Sequence, residues 1–178
     1  MTRERSVDHI ISDCSVFSPL FVQSIKRQKG GWLLLSGGIR VGFWLLKSDP
    51  EDYSYDDLER DKKTVWDGVA NNLALLNLRA VKKGDLAFIY HTGSERRIIG
   101  IADVTSDPYP DPKARNQRFL VINVAAKRRL QKYVALDEVK ARKEFKDFDL
   151  VRLPRLSVMP VDSERWKRLL KLSEFGNR

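Results

Sequence analysis

Residues that could carry chemistry stand at the ends of short apolar segments between Val41 and His91. A strand predicted over Phe43 to Leu46 runs into a Lys-Ser-Asp sequence that begins at Lys47. A Val-Trp-Asp-Gly-Val block centred near Trp66 precedes a predicted helix, and a third apolar segment ends in Tyr-His. Binding and catalytic groups are often carried where regular elements give way to loops. The pattern therefore predicts a pocket with aromatic, hydroxyl, carboxylate and imidazole groups.

Catalysis by these groups is one interpretation. Ser48 with His91, oriented by Asp67, would be a nucleophile and base of the hydrolase type. The chain has no nucleophile elbow and no phosphate loop, and its glycine pairs do not fit a dinucleotide-binding turn. We therefore expect a protein that is not an enzyme and holds no cofactor. A small hydrolase or nucleotide-modifying enzyme that uses the same pocket remains the alternative.

Recognition of a flat ligand, such as a nucleobase, is the other interpretation. Trp66 is either a core residue or a stacking wall, and stacking of a base on an aromatic side chain contributes about 1–3 kcal/mol. Gly68 would allow close approach of a ligand. Asn71 carries both a donor and an acceptor for a base edge, but it could equally cap the next helix. His91 is either a hydrogen-bonding group for the ligand or a structural residue.

Composition favours an anionic partner. The chain has 178 residues and a formal net charge of +9, with 42% hydrophobic and 32% charged residues. This length suits one globular domain plus a tail. The excess of positive charge favours nucleic acid, DNA or RNA, as the partner ahead of an acidic membrane. A generally basic protein without such a partner is the simpler alternative.

Basic residues that could contact a phosphate backbone are spread over several segments. They would do so only if the fold brings them to one face, and otherwise they are solvated surface positions. The candidates are Arg96, Arg97, Arg115, Arg118, Lys127, Arg128 and Arg129.

Other classes of site are excluded by residue counts. One cysteine cannot form an internal disulfide, and one cysteine with two histidines cannot build a Cys/His zinc site. No apolar run approaches the roughly 20 residues of a membrane helix. We therefore expect no metal, no membrane partner and a cytoplasmic location, or a nuclear one in a eukaryote. The oligomeric state does not follow from the sequence.

Local signals place the first elements. Ser54 and Asp57 form a capping-box pattern at the start of a short helix. Asn71 or the next residue caps a second helix, in which Leu73, Leu76 and Ala80 recur at helical spacing and predict a buried stripe.

The later elements follow the same kinds of signal. Gly100, inside a predicted strand, predicts a bulge or a close backbone approach. We also predict a strand over Phe119 to Ala125, a helix over Leu136 to Phe145, a short strand over Leu156 to Val161 and a final helix capped by Asp162 or Ser163. The pattern is a mixed, β-rich domain with short helices between strands.

The first 40 residues differ from the rest. They are rich in glycine pairs and have few periodic apolar residues, apart from segments around Val16 to Ile25 and Trp32 to Leu35 that could form a short strand or helix. We interpret residues 1–40 as a poorly ordered extension and residues 41–178 as the domain. Val41 as the true start of the protein is a hypothesis that mass spectrometry of the native protein would test.

Five ordered blocks in this chain resemble those of the EVE domain family. They are FWLLKSDPEDYSYDDL, TVWDGVANNLALLNLR, KKGDLAFIYHTGSERRIIGIADV, YPDP and PRLSVMPV. The resemblance covers about Val41 to Leu172. It implies an α+β, PUA-like fold, a small bent β-barrel surrounded by short helices. It also implies a reader of modified bases in DNA or RNA, with no established catalysis.

The resemblance extends to the residues of a base pocket. The family's Lys-Ser pair, its Trp-x-Gly-Val-x-Asn block and its Tyr-His pair have counterparts here. The implied pocket residues are Lys47, Ser48, Trp66, Gly68, Val69, Asn71, Tyr90 and His91. Many members have Arg-Asn-Tyr where this chain has Ala-Asn-Asn, so one charge and one aromatic ring are missing. A protein-interaction module, recognisable by an exposed apolar patch, is a further alternative.

Overall fold

A computed structural model of the protein describes residues 32–34 and 40–174. Its strands are β1 (Trp32–Leu34), β2 (Arg40–Ser48), β3 (Lys63–Trp66), β4 (Leu86–His91), β5 (Arg97–Val104), β6 (Tyr109–Pro110), β7 (Leu120–Ala135) and β8 (Val158–Pro160). Its helices are α1 (Tyr55–Asp61), α2 (Asn72–Ala80), α3 (Leu136–Lys140), α4 (Asp149–Arg152) and α5 (Ser163–Glu174), with a 3-10 turn at Lys143–Phe145.

The strands form a mixed sheet in the order β1-β2-β4-β5-β7-β3, with β8 added to β2 and β6 to β7. Strands β2 and β4 are parallel, so their carboxyl ends lie together and Ser48 is the register partner of His91. Strand β7 pairs with β5, β3 and β6, and register shifts interrupt its ladder with β5. Such shifts bend a strand. The strand predicted from Phe119 to Ala125 corresponds to the first part of β7, which continues to Ala135.

Helix α1 begins as the sequence predicts. The Ser54 hydroxyl accepts a hydrogen bond from the backbone N–H of Asp57, and the Asp57 carboxylate accepts one from the backbone N–H of Ser54. This reciprocal pair satisfies two donors that the first helical turn leaves unpaired. The capping box is therefore confirmed.

The buried face of α2 differs from the prediction. Leu73 and Leu76 are 44% and 59% exposed, whereas Ala74, Leu75 and Leu78 are buried. At about 100° per residue the two sets lie on opposite faces of the helix. The helix has leucines on both faces, so spacing alone cannot select the inner one. Its register is set by Asn71, which caps it, and by packing against β7 and β8.

The chain after β7 is less regular than predicted. The helix expected from Leu136 to Phe145 ends at Lys140, because Arg142 is extended (φ −104°, ψ 124°). The chain then enters the 3-10 turn, in which Phe145 is fully buried. The last helix, α5, begins as expected, and the Asp162 carboxylate accepts a hydrogen bond from the Arg165 N–H at 2.9 Å.

The amino-terminal prediction falls mostly outside the described residues, which omit 1–31 and 35–39. Residues 32–34 form β1, antiparallel to β2, within the segment around Trp32 to Leu35 that could form a short strand or helix by its sequence. Among the helices in the described part of the chain, none is both long and apolar enough to cross a membrane.

Candidate functional site

A cavity of about 590 Å³ lies where β2 and β3 end. This volume is in the range of small-molecule sites, about 300–1,000 Å³. The cavity is lined by Lys47, Ser48, Asp49, Asp52, Tyr53, Thr64, Val65, Trp66, Asp67, Gly68 and Lys113. Four of the eight residues predicted for the base pocket are thus brought together, namely Lys47, Ser48, Trp66 and Gly68.

One wall is the end of β2 and the turn that follows it. The Asp49 carbonyl accepts hydrogen bonds from the N–H groups of Asp52 (3.1 Å) and Tyr53 (2.9 Å), which folds the chain back after the strand. The Ser48 hydroxyl donates to the Tyr53 carbonyl at 2.6 Å and closes the same turn. Tyr53 is therefore held beside Ser48 as an aromatic part of the wall.

The second wall is β3 and the glycine after it. Trp66 pairs with Ile122 of β7 and is only 7% exposed, so most of the indole is covered by the protein and only a small part of this residue faces the cavity. Gly68 has φ +75°, and a Cβ atom placed on it would meet nothing within 4 Å. The space beside Gly68 is therefore open, and the left-handed backbone favours glycine there.

Lys47 is the cationic group of the β2 wall. Its ammonium donates to the Pro154 carbonyl at 2.9 Å and lies 5.5 Å from the centroid of the Tyr90 ring. Burial lowers the pKa of Lys47 to about 8, because the charged form loses hydration. This lysine therefore changes charge at a lower pH than an exposed one, and it already has a protein partner.

The other predicted pocket residues do not line this cavity. The Asn71 amide oxygen accepts from the N–H groups of Leu73 and Ala74, at 2.9 and 3.1 Å, and so caps α2. Val69 and Tyr90 are 5% and 3% exposed and belong to the core. For Asn71, the capping role considered in the sequence is the one that the structure displays.

His91 anchors α1. Its Nε2 atom accepts a hydrogen bond from the backbone N–H of Tyr55 at 2.9 Å, and its Nδ1 atom lies 2.7 Å from Oε2 of Glu95. Because Nε2 accepts, the neutral ring carries its proton on Nδ1 and donates it to Glu95. Hydrogen bonds from Arg97 and then His91 lower the pKa of Glu95.

These contacts bear on the hydrolase interpretation. In the described residues the Ser48 hydroxyl donates to Tyr53, and the imidazole of His91 is engaged by Tyr55 and Glu95. Ser48 and His91 are strand neighbours but form no hydrogen bond with each other, and Asp67 pairs with Lys113, not with the histidine. The nucleophile-and-base arrangement considered from the sequence is therefore not formed in this structure.

Sequence reasoning missed several wall residues. Asp49, Asp52 and Tyr53 follow the predicted Lys-Ser pair, and their proximity to it was the available signal. The sequence offers Asp67 as the carboxylate of the Val-Trp-Asp-Gly-Val block and as an orienting group, but not among the base-pocket residues. Lys113 comes from the proline-containing loop before β7, and its Nζ atom lies 3.0 Å from Oδ2 of Asp67. No local pattern links residues so far apart in the chain.

The basic residues predicted to contact phosphate separate into two groups. Arg97, Lys127 and Arg129 are paired with acidic side chains, namely Glu95 at 3.0 Å, Asp103 at 2.8 Å, and Glu59 (2.7 Å) with Asp56. Within the described part of the chain, the others form no ion pair. They are Arg96, Arg115, Arg118 and Arg128.

Two of the unpaired residues lie in the chain segment that supplies Lys113 to the cavity wall. Arg115 and Arg118 belong to the same loop as Lys113, and both are exposed. The Arg118 guanidinium stacks over the Phe119 ring, 4.7 Å from its centroid. The loop that supplies Lys113 to the cavity wall is thus basic.

Comparison with known proteins identifies the family. The family model of the EVE domain matches residues 42–172. Thymocyte nuclear protein 1 of Rattus norvegicus is 30% identical over 166 residues, and the alignment covers 74% of this chain and 74% of that protein. The NMR structure of Rpa0253 from Rhodopseudomonas palustris has a TM-score of 0.72 at 35% identity, covering 78% of this chain and 97% of that one.

A further relative was solved with a ligand. The crystal structure of human THYN1 protein in complex with DNA containing 5-methylcytosine has a TM-score of 0.71 at 28% identity, and it covers 76% of this chain and 99% of that one. These similarities confirm the α+β, PUA-like fold that the sequence blocks imply. The chain belongs to the EVE domain family.

Proposed function

We propose that this protein is a non-catalytic nucleic-acid-binding module that holds one base of DNA or RNA, a modified base, in the cavity beside Trp66. The observation that carries the proposal is the cavity itself, which combines an aromatic wall, a glycine and hydrogen-bonding groups in a chain of net charge +9. The human relative solved with 5-methylcytosine-containing DNA supports the same class of ligand.

The wall chemistry suits a single planar heterocycle. Tyr53 and Trp66 supply aromatic surface, and Gly68 leaves space for close approach. Ser48 and Asp67 supply polar atoms for a base edge. A base can reach such a cavity only when it is unstacked, as in a single strand or after flipping out of a duplex.

The loop beside the cavity would hold the phosphate backbone. Arg115 and Arg118 are exposed and lack acidic partners among the described residues, whereas Arg129 is engaged by two carboxylates. A guanidinium without a carboxylate partner is free to replace the counterions of a phosphate.

Removal of the two loop arginines should weaken the salt dependence of DNA binding. For the Arg115→Gln/Arg118→Gln variant we expect the slope of log K against log salt to decrease by about 0.9 for each lost phosphate contact on duplex DNA. Fluorescence anisotropy at several salt concentrations measures this slope. Arg129→Gln is the matched control and should leave the slope nearly unchanged. A larger effect of Arg129→Gln would place the backbone on another face.

Base recognition is tested by titration with oligonucleotides that are methylated, hydroxymethylated or plain at one position. We expect the modified strand to bind more tightly. Trp66→Leu should lose about fivefold in affinity for it at both low and high salt, the lower end for contact of a base with an aromatic ring, because only a small part of the indole is exposed and this contact is not screened. Trp66→Phe, which retains an aromatic ring, should recover part of that loss. Thermal melting of each variant verifies that the fold is retained.

The wild type and both Trp66 variants could bind all three strands with equal affinity, and that affinity could decrease with salt in each protein. This result would mean that binding is driven by charge alone. In that case recognition of a modified base would be the wrong function for the cavity.

A further inference from the structure

Two side chains of the cavity wall, Ser48 and Asp67, keep hydrogen-bond acceptors free. The Ser48 hydroxyl hydrogen is used toward the Tyr53 carbonyl, so only its oxygen lone pairs remain. Oδ2 of Asp67 accepts from Lys113, and Oδ1 has no partner among the described residues. Lys47 and Lys113 each use one of the three N–H donors of an ammonium group, toward the Pro154 carbonyl and Asp67 respectively. A donor on a ligand can therefore be met by Oδ1 of Asp67 or by the lone pairs of Ser48.

The charge of the wall points the same way. Three carboxylates line the cavity, those of Asp49, Asp52 and Asp67, against the two lysines. A carboxylate accepts hydrogen bonds and cannot donate them. A carbonyl oxygen of a ligand placed against it would lose its water partner and meet a negative charge, which is costly in a confined site.

Asp67 is the carboxylate best placed for a base. It lies between Trp66 and Gly68, so it adjoins both the aromatic surface and the open space. Its side chain is 40% exposed and its partner Lys113 is 77% exposed, so the ion pair stands at the solvent side of the cavity. Asp49 likewise has one engaged oxygen, Oδ1, which accepts from the N–H of Glu51 at 3.1 Å, but Asp49 belongs to the wall at the end of β2 and does not adjoin Trp66 and Gly68 in the chain.

We propose that Asp67 is the specificity-determining residue of the cavity and accepts a hydrogen bond from an exocyclic amino group of the base. The ligand class is then a base whose amino group adjoins a ring-nitrogen acceptor, as in cytosine and adenine and their methylated forms. Thymine and uracil, which carry a carbonyl oxygen at that position, are rejected. This inference rests on the proposed function and names the chemistry that the cavity reads.

The test compares bases that differ at the amino group. The probes are identical single-stranded oligonucleotides with 5-methylcytosine, thymine or 5-methylpyrimidin-2-one at one central position. Thymine replaces the amino group by a carbonyl, and 5-methylpyrimidin-2-one deletes it while retaining the ring acceptor. For the full-length protein we expect about tenfold or greater preference for 5-methylcytosine over both others, since a hydrogen bond to a charged group is lost.

Variants separate direct contact from general electrostatics. Asp67→Asn should reduce the preference over thymine to near unity, because the amide can also donate to a carbonyl. Asp52→Asn removes the same charge from the same cavity and should retain the preference. Lys113→Gln removes the partner of Asp67. It should lower the affinity for all three strands by a similar factor and retain the preference for 5-methylcytosine.

Three results would overturn the inference. One is equal binding of 5-methylcytosine and 5-methylpyrimidin-2-one by the wild type. Another is a preference that survives Asp67→Asn in a folded variant. The third is that Lys113→Gln loses the preference for 5-methylcytosine to the same degree as Asp67→Asn. In that case the ion pair would be a structural element of the cavity and Asp67 would not contact the base directly. If no strand binds at all, the proposed function fails as well, so the two failures are distinct.

Discussion

Replacement of Asp85 by alanine is expected to lower the free energy of unfolding by about 3 kcal/mol or more. Asp85 is completely buried, and its carboxylate accepts three hydrogen bonds. They come from the backbone N–H of Gly42 (2.7 Å), the indole N–H of Trp44 (2.7 Å) and the backbone N–H of Lys82 (2.9 Å). Alanine would leave these donors without an acceptor, two of them in the interior, where water cannot replace it.

Denaturant unfolding followed by tryptophan fluorescence measures this loss. Asp103→Ala is the matched control, since the Asp103 carboxylate is 38% exposed and pairs with Lys127 at the surface. Its removal should cost less than about 1 kcal/mol. Equal losses for the two variants would mean that Asp85 does not hold the start of β2 to the turn before β4.

That contact matters for the site because it helps to fix how β2 lies against β4. Asp85 precedes β4 and its donors Gly42 and Trp44 are in β2, so the two parallel strands are joined near their amino ends. Their carboxyl ends then place Ser48 beside His91. From there the chain turns into the cavity wall on one side and holds α1 on the other.

Features determined by residues close together in the chain could be predicted. The capping box of Ser54 with Asp57 and the Asn71 cap depend on contacts across two or three residues. The clustering of Lys47 with Ser48 and of Trp66 with Gly68 could also be predicted, because strand ends carry pockets. The capping box follows from residue type and spacing alone, whereas Asn71 also fitted a ligand contact and Trp66 also fitted a core position.

Features determined by distant contacts could not be predicted. The local sequence indicates that Asp85 is part of a Lys-Lys-Gly-Asp turn. Two of its hydrogen-bond partners, however, are 41 and 43 residues away in the chain. His91 carries the chemistry of a ligand group, and only the position of the α1 amino end shows that it binds Tyr55. Lys113 reaches Asp67 across 46 residues. In each case the partner depends on how the elements pack.

Gly100→Ala is expected to disrupt the packing of α1 on the sheet. A Cβ atom at this position would lie 2.3 Å from Cζ of Tyr55 and within 2.7 Å of two further ring atoms. The ring cannot move aside, because Tyr55 is fully buried and its hydroxyl donates to the Ile101 carbonyl at 2.8 Å. We expect a loss of about 3 kcal/mol in the free energy of unfolding, at the upper end for overpacking of a core.

The matched control is Gly84→Ala. Gly84 has φ +94° and open space around its Cβ position, so alanine there meets backbone strain but no steric contact. Its cost should be about 1–2 kcal/mol. A second variant identifies the cause. In a Tyr55→Leu background, Gly100→Ala should lower the free energy of unfolding much less than in the wild type. A double-mutant cycle measures this coupling. Equal costs in both backgrounds would exclude the tyrosine ring as the reason.

Gly100→Ala and Gly84→Ala are expected to differ in their effect on binding. Tyr55 begins α1 directly after the turn that supplies Asp49, Asp52 and Tyr53 to the cavity. Displacement of the ring would also break the hydrogen bond from the Tyr55 N–H to His91 and shift that turn. At a temperature where both variants remain folded by circular dichroism, we expect Gly100→Ala to lose preference among modified and plain oligonucleotides and Gly84→Ala to retain it. Retained preference in both would mean that the cavity wall does not depend on how α1 is seated.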